Sequence, residues 1–305
     1  MDRKGRCRVA TAAMRSPRWI VNFAAFACRL WRVDAGRTLQ INQVVGVAVV
    51  SLVLAALPAA GCEGLTPGPA GRVVGVSDGD TVLLDTGQEV RLIGLQAPKL
   101  PKGREDFEPW PLAESARARL EALTLGQRIE VRHGGAGRDR HGRVLGQVFV
   151  AGAAPVWVQS QMLAEGLARV YSFPDNRACL AELLAVEAQA RADRLGIWAD
   201  QYYTVRRADR PEALLARAGL YELVEGRVLL AEKVGGRVYL NFGRYWKVDV
   251  TAVIEARALR LFAGAGLDPL GLEGALVRLR GWVDDRDGPR IELTHPEQIE
   301  VLARP

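Results

Sequence analysis

The chain has 305 residues, of which 49% are hydrophobic and 25% charged. These proportions exclude a disordered chain, a collagen-like fibre and a polytopic membrane protein. The four cysteines form no C-x-x-C pair and the three histidines are scattered, which excludes a disulfide scaffold and the spacing of a zinc site. Residues 1–61 carry nine Lys or Arg and two Asp or Glu, whereas residues 62–305 hold 32 basic and 33 acidic residues. The net charge of +6 therefore belongs to the amino-terminal segment.

Residues 44–61 form a run of 18 residues without a charge, which follows an arginine-containing stretch and ends in small residues before Cys62. This pattern is typical of a secretory signal. The ending at residues 57–62 resembles the lipobox of bacterial lipoproteins, in which the cysteine is acylated. Ala59 stands where that pattern usually has leucine.

The sequence therefore predicts that residues 1–61 export the rest of the chain. The resemblance implies a lipid on Cys62 that anchors the protein to a membrane of the bacterial cell envelope. An uncleaved signal anchor and simple secretion are the alternatives. Residues 62–70 are rich in proline and glycine and are predicted to be a tether.

Residues 71–199 are predicted to form one domain, in which β-branched runs alternate with turns and with helical spacing of leucine and alanine. Five strands and three helices in this order indicate a barrel with helices packed on it. The predicted strands are 71–76, 81–84, 89–95, 128–132 and 144–150, and the predicted helices are 111–123, 156–167 and 180–195.

Residues 200–221 are charged and are predicted to be a connector, and residues 222–305 contain a second set of strands. Five short strands with a helix after the third are the order of an OB-fold barrel. The predicted strands are 223–232, 237–241, 247–254, 276–283 and 290–293, and the predicted helix is 256–264.

Four pieces of the first domain carry polar groups suited to phosphate chemistry. They are the turn Asp78-Gly79-Asp80-Thr81, the strand Val90-Arg91-Leu92, the segment Gln96-Ala97-Pro98-Lys99 and the loop at residues 138–143 with sequence RDRHGR. An aspartate at a turn ligates hard cations such as Ca²⁺, and arginines on neighbouring strands bind phosphate oxygens with two hydrogen bonds. Each piece alone is weak evidence, because aspartate and glycine are common in turns.

Together, the order and spacing of these pieces resemble the staphylococcal-nuclease-like (thermonuclease) family over residues 71–199, including the ending Leu195-Gly196-Ile197-Trp198. The resemblance implies an α+β fold, mainly β, with an OB barrel of that type followed by the second OB-like barrel. It also implies hydrolysis of DNA or RNA with Ca²⁺ as cofactor. Asp80 is then a calcium ligand, and Arg91 and Arg143 contact the scissile phosphate.

One segment departs from the family pattern, in which the sequence D-T-P-E supplies a second calcium ligand and the proposed general base. Here it is Gln96-Ala97-Pro98-Lys99. Gln96 offers only an uncharged carbonyl as a weak ligand, the Ala97 backbone carbonyl remains, and Lys99 at the base position is not a carboxylate. Reduced calcium affinity is expected, and losing a general base removes ~10²–10⁴-fold of rate. The exposed loop carboxylates of residues 105–108 are an alternative source of a base.

The second domain carries aromatic residues beside basic ones. Phe242, Tyr245 and Trp246 are predicted to stack on the bases of single-stranded nucleic acid, as aromatic side chains of OB barrels do. For Phe242 and Trp282, packing in the core is the favoured alternative.

Three functions follow from these patterns. The first is an exported phosphodiesterase with an altered metal and base site. The second is a catalytically inactive nuclease fold that binds nucleic acid or another polyanion in the cell envelope. The third is a scaffold for interactions with other proteins, which does not explain the phosphate-binding arginines.

Overall fold

The computed structural model describes residues 62–305. The predicted export segment, residues 1–61, lies outside the described residues. The first half contains, in chain order, β1 (Thr66–Asp78), β2 (Thr81–Leu84), β3 (Glu89–Leu92), β4 (Gly94–Gln96), α1 (Ala113–Thr124), β5 (Arg128–His133), β6 (Val144–Val150), β7 (Val156–Trp157), α2 (Val158–Ala164), β8 (Arg169–Tyr171) and α3 (Leu180–Ala192).

Five of these strands close into a barrel, which confirms the predicted fold. Strand β1 pairs antiparallel with β2 and β5, β2 pairs with β3, and β5 pairs with β6. The parallel pairing of β3 with β6 then completes the circle. Alternate residues of the strands face inward, because side chains project from a strand with period two, and they form a core that includes Val82, Val90 and Val144.

One predicted helix begins later than expected. The helical pattern at 156–167 suggested a single helix, but Val156 and Trp157 pair with β6 before α2 starts at Val158. The Trp157 ring stacks on Phe149 across this pair at 6.1 Å between centroids. Because β-branched and aromatic residues pack well across strands, these two residues extend the sheet.

The second half contains β9 (Arg206–Arg207), α4 (Pro211–Leu215), β10 (Tyr221–Arg227), β11 (Leu230–Val234), β12 (Arg237–Asn241), β13 (Thr251–Ile254), α5 (Leu259–Gly264), β14 (Leu276–Asp284), β15 (Arg290–Glu292) and β16 (Ile299–Ala303). The strand predicted at 247–254 starts only at Thr251. Before it, the Asp249 carboxylate accepts a hydrogen bond from the Tyr245 backbone N–H and closes a turn. β16, which the sequence analysis did not predict, pairs with β14.

The strands of the second half follow the same cyclic order as the first barrel. β11, β12 and β13 pair antiparallel in sequence, β13 pairs parallel with β15, and β15 and β10 each pair antiparallel with β14. Two residues separate β10 from β11. The order of paired strands that begins at β11 therefore ends at β10, its neighbour in the chain. A separate hydrophobic cluster fills this half.

A buried ion pair joins the two halves. The Arg280 guanidinium on β14 donates to Glu187 of α3 at 2.8 Å and to the Val170 carbonyl at 3.3 Å. Neither charged side chain of the pair is exposed to solvent. Burial by itself lowers the pKa of Arg280, but the attraction of Glu187, Tyr221 and Glu300 outweighs burial and raises that pKa. Arg280 also pairs with Glu300, and Glu187 lies 3.5 Å from Arg191, so removing either member of the pair would leave a buried charge with one partner fewer.

His295 lies buried between the halves, where one ring nitrogen is 2.6 Å from the Ser172 hydroxyl and the other 2.9 Å from the Thr294 hydroxyl. Burial lowers the pKa of His295 from 6.5 to about 4, with Arg177 and Arg280 adding to this and Glu297 and Asp175 opposing it. Below pH 6.5 the unfolded chain therefore binds a proton that the folded protein does not bind until about pH 4.

We expect the free energy of unfolding to decrease as the pH falls from 6.5 towards 4, with His295 contributing about 2 to 3 kcal/mol of the loss. Urea unfolding at pH 7.0 and 4.5 measures it. In His295→Gln the loss over this interval should be smaller by about that amount. An equal loss in both proteins would contradict this role of His295.

Cys62 and Cys179 form a disulfide that links the segment before β1 to the start of α3, with their Cα atoms 5.0 Å apart. A sulfur in a disulfide cannot also carry a thioether-linked lipid. The lipid predicted on Cys62 and this bond therefore exclude each other.

Within residues 62–305, no helix has the length and apolar character needed to cross a membrane.

Candidate active site

The turn between β1 and β2 positions the central carboxylate. The Asp78 carboxylate accepts a hydrogen bond from the Asp80 backbone N–H at 3.1 Å, which closes the turn. A Cβ atom at Gly79 would lie 2.6 Å from the Cβ of Ala97 and 2.8 Å from that of Ala116. Only glycine allows the turn to approach both neighbours this closely, and Asp80 is thereby held against the segment after β4.

The Asp80 carboxylate is 1% exposed and is surrounded by donors. One of its oxygens, Oδ2, lies 2.6 Å from Arg91, 2.6 Å from the Lys99 ammonium and 3.1 Å from the Ala97 backbone N–H. Burial alone raises the pKa of Asp80, but Arg91 and Lys99 outweigh burial and hold that pKa well below its ordinary value. Asp80 is therefore a carboxylate at neutral pH.

Backbone carbonyls fix the Arg91 guanidinium in place. Arg91 lies on β3 and donates to the carbonyl oxygens of Asp80 and Leu95, each at 3.1 Å. Its side chain is 13% exposed. The guanidinium group has five N–H donors, so this arrangement leaves donors for a ligand at the barrel surface.

The pairing of β3 with β6 indicates where Arg143 lies relative to Arg91. Val90 pairs with Val144 in the parallel ladder, and both are buried inside the barrel. Arg91 therefore projects outward, and we expect Arg143, the residue before β6, to lie on the same outer face. Asp139 of the same loop holds Arg143 through contacts of 2.8 and 2.7 Å. Convergence of both arginines on one phosphate stays a prediction.

Gln96 is bound to a buried arginine that the sequence analysis missed. Its side-chain oxygen accepts two hydrogen bonds from Arg169 on β8, at 3.2 and 2.9 Å. The Arg169 guanidinium also lies 5.0 Å from the ring of Tyr221, which belongs to the second half. Burial lowers the pKa of Arg169, while Glu222 and nearby tyrosines oppose that shift. The side-chain oxygen predicted as a weak calcium ligand is thus already bound.

The residues present do not fit the calcium ion that the resemblance implies. Ca²⁺ takes six to eight oxygen ligands, but Lys99 and Arg91 already contact the Asp80 oxygen and Arg169 contacts the Gln96 oxygen. The Ala97 backbone N–H also donates to the Asp80 oxygen at 3.1 Å, which adds a third donor at the position where a cation would bind. Within the part of the chain that the structure describes, no group of three or more His, Cys, Asp and Glu side chains is arranged to hold a metal.

Lys99, at the position of the family's general base, is held by the Asp80 carboxylate. Burial lowers the pKa of Lys99, and Asp80 opposes this shift. The loop carboxylates proposed as an alternative base, Glu105, Asp106 and Glu108, are exposed. Lys102 of that loop instead pairs with Asp78 at 2.6 Å.

In the second half, the predicted stacking residues separate into two groups. Phe242 is buried in the core beside Gly226, so the prediction that its ring stacks on bases is wrong. Tyr245 and Trp246 are 72% and 54% exposed in the turn before β13, and the Lys247 ammonium lies 5.4 Å from the Trp246 ring. Trp282, which was expected in the core, is partly exposed and donates to the Tyr171 hydroxyl at 3.2 Å.

The closed five-stranded barrel of the first half is an OB-type barrel, which is the fold that the sequence predicts for this half. The sequence model described as "Staphylococcal nuclease homologue" matches residues 89–200. The chain belongs to the family of staphylococcal nuclease homologues.

Several curated proteins are similar to the chain over less than half of its length. "Protein ParB" of Escherichia coli is 34% identical over 43% of this chain and 73% of its own length. "Micrococcal nuclease" of Shigella flexneri is 30% identical over 43% of this chain and 74% of its own length. "Endonuclease YncB" of Bacillus subtilis is 31% identical over 43% of this chain. The matched part covers 62% of the length of that protein.

Proposed function

We propose that the protein is a thermonuclease-like phosphodiesterase that acts on DNA or RNA, with an altered and weakened metal and base site. The observation that carries this proposal is the contact of Arg91 with the buried Asp80 carboxylate, where Arg91 lies on a strand that pairs with the one following Arg143. Arginines held in this way bind phosphate oxygens and stabilise the charge that develops when a phosphodiester is cleaved. Relatives named endonuclease or micrococcal nuclease support it.

The second candidate is a catalytically inactive nuclease fold that binds nucleic acid or another polyanion. The contact of the Lys99 ammonium with Asp80 favours this candidate, because an ammonium stands where the family pattern has the base. The two candidates share phosphate binding and differ only in hydrolysis.

Labelled single-stranded DNA and RNA, incubated with the purified protein in Ca²⁺ and in EDTA, distinguish the two candidates. We expect slow cleavage that depends only weakly on Ca²⁺. Arg143→Ala should lower cleavage by ~10²-fold or more, because it removes a donor to the developing charge, while it weakens binding only slightly. Arg140→Ala is the matched control, since Arg140 lies in the same loop and contacts His141 instead. Equal cleavage by both variants would refute the role of Arg143.

We also propose that the protein is exported. The charge-free run at 44–61 supports this, as does the disulfide between Cys62 and Cys179, because disulfides persist in oxidising compartments outside the cytosol. Attachment to a membrane through a lipid on Cys62 stays a prediction that competes with this disulfide.

A peptide map of the protein isolated without reductant distinguishes the two states of Cys62. We expect peptides containing Cys62 and Cys179 to be recovered as one linked species that separates on reduction. Recovery of an acylated Cys62 peptide would instead support the lipoprotein and exclude the disulfide. A linked species that begins within residues 1–61 would indicate an uncleaved signal anchor.

For residues 222–305, within the second half, we propose an OB-like barrel that binds single strands through Tyr245 and Trp246. Its cyclic strand order supports the barrel, and the exposed rings beside Arg244 and Lys247 support the binding. Stacking of a base on an aromatic ring contributes about 1 to 3 kcal/mol. The predicted boundaries at 199 and 221 remain part of this proposal.

A further inference from the structure

We propose that the Lys99 ammonium takes the place of a divalent metal ion, so that this site binds the phosphate of nucleic acid without metal. The inference rests on the proposed function for its ligand. It concerns the residue that supplies the positive charge, and it holds whether or not the bound phosphodiester is cleaved.

The first step is the distance between Lys99 and Asp80. The Lys99 nitrogen lies 2.6 Å from the Asp80 oxygen Oδ2, and Ca²⁺ lies 2.3–2.6 Å from its oxygen ligands. The ammonium therefore lies as close to this oxygen as a bound calcium ion would. An added Ca²⁺ at the same oxygen would meet the like charge of Lys99 and of Arg91, which is also 2.6 Å from this oxygen.

The second step is the charge of the site. Asp80 contributes one negative charge, and Arg91 and Lys99 contribute one positive charge each, which leaves one positive charge. The phosphodiester group carries one negative charge, so the metal-free site already has the opposite charge to its ligand. The nearby pairs Asp78 with Lys102 and Asp139 with Arg143 are each neutral and leave this balance unchanged.

The third step is access. The Lys99 side chain is 25% exposed, whereas Asp80 is buried. An ammonium group has three N–H donors, and Lys99 donates one of them to Asp80. The remaining donors can bind phosphate oxygens at the surface. The buried carboxylate meanwhile keeps the ammonium from moving away, so the site is preorganised for an anion.

Fluorescence anisotropy of a labelled single-stranded oligothymidylate in EDTA and in Ca²⁺ tests the inference. The full protein should bind equally well in both. Lys99→Gln should weaken binding in EDTA by about tenfold or more, since charge-assisted hydrogen bonds are the strong ones, and Lys99→Arg should retain binding within about threefold.

Lys102→Gln is the matched control. It removes the same positive charge at a lysine that lies three residues further along the chain and pairs with Asp78. Its effect should be under about threefold. Circular dichroism and the melting temperature establish that each variant is folded. If Lys99→Gln does not fold, a comparison of Lys99→Met with Lys99→Arg gives the same test. Both variants place a long side chain at position 99, and the arginine alone keeps the positive charge.

A protein that binds only with Ca²⁺, or that is weakened equally by Lys99→Gln and Lys102→Gln, overturns the inference. Calorimetric titration with Ca²⁺ gives a second readout: the protein should show no site at millimolar calcium, and Lys99→Glu should gain one. Binding that resists EDTA and depends on Lys99 without any cleavage supports the inference and refutes hydrolysis. Calcium-dependent cleavage without binding in EDTA supports hydrolysis and refutes the inference.

Discussion

Gln96→Asp combined with Lys99→Glu should raise turnover by ~10²-fold or more and should make cleavage dependent on Ca²⁺. The exchange replaces the ammonium at the Asp80 oxygen by the carboxylate of residue 99 and adds a second carboxylate at position 96. One carboxylate supplies charge for a hard cation, and the other supplies a general base. The new carboxylate at position 96 would also face Arg169, which already binds the side chain at this position, so its pKa should stay low enough for ionisation. Single-turnover cleavage of labelled single-stranded DNA measures the effect.

The neutral double variant Gln96→Asn with Lys99→Gln is the control for this experiment. It removes the same ammonium without adding a carboxylate, and it should not gain turnover. Unchanged turnover in the variant with both new carboxylates, with an intact fold, would refute the idea that these two positions limit catalysis. Strong calcium-dependent cleavage by the unmodified protein would instead indicate that the loop at residues 105–108 supplies the base.

Glu187→Gln should lower the free energy of unfolding by about 2 to 3 kcal/mol, because it removes the fully buried carboxylate of the two that pair with Arg280 and leaves Glu300, which is 21% exposed. The amide keeps the size of the side chain and can still accept from the Val170 backbone N–H, which Glu187 binds at 3.2 Å. The loss is therefore caused by charge and not by a cavity. Urea unfolding gives the free energy.

Two further variants separate the buried pair from an ordinary surface pair. Glu255→Gln breaks the exposed contact with Arg237 and should change stability by less than about 1 kcal/mol. Adding Arg280→Met to Glu187→Gln removes the guanidinium that has lost its buried carboxylate and should recover part of the loss, since Glu300 keeps its contact with Arg278. If Glu187→Gln is no more costly than Glu255→Gln, the ion pair does not hold the two halves together.

Local patterns were sufficient to predict most strands of the first barrel. Thr81–Leu84 and Val144–Val150 lie where they were predicted, because short β-branched runs bounded by glycine turns leave few alternatives. The late start of β13 was missed because the Asp249 side chain closes a turn within an otherwise strand-like run.

The site was predictable only where its parts follow from local motifs. The turn that holds Asp80 and the replacement at Lys99 can be recognised from a few neighbouring residues. Arg169, the partner of Gln96, is 73 residues from it along the chain. Arg280, the partner of Glu187, is 93 residues from it. Neither pairing leaves a local pattern, since both depend on how the sheets and α3 pack. The sequence analysis accordingly treated Gln96 as an available ligand, although the folded chain had already bound it.

The bond between Cys62 and Cys179 changes the covalent topology of the nuclease half. All residues between these cysteines, 117 positions apart, lie in one covalent ring that contains the barrel strands, Asp80, both arginines and Lys99. A protease that cuts the exposed loop at Arg104 opens the ring but releases no fragment, and the two pieces stay joined until the bond is reduced. A nicked molecule would thus keep its strands together and its site assembled for as long as the bond stays oxidised.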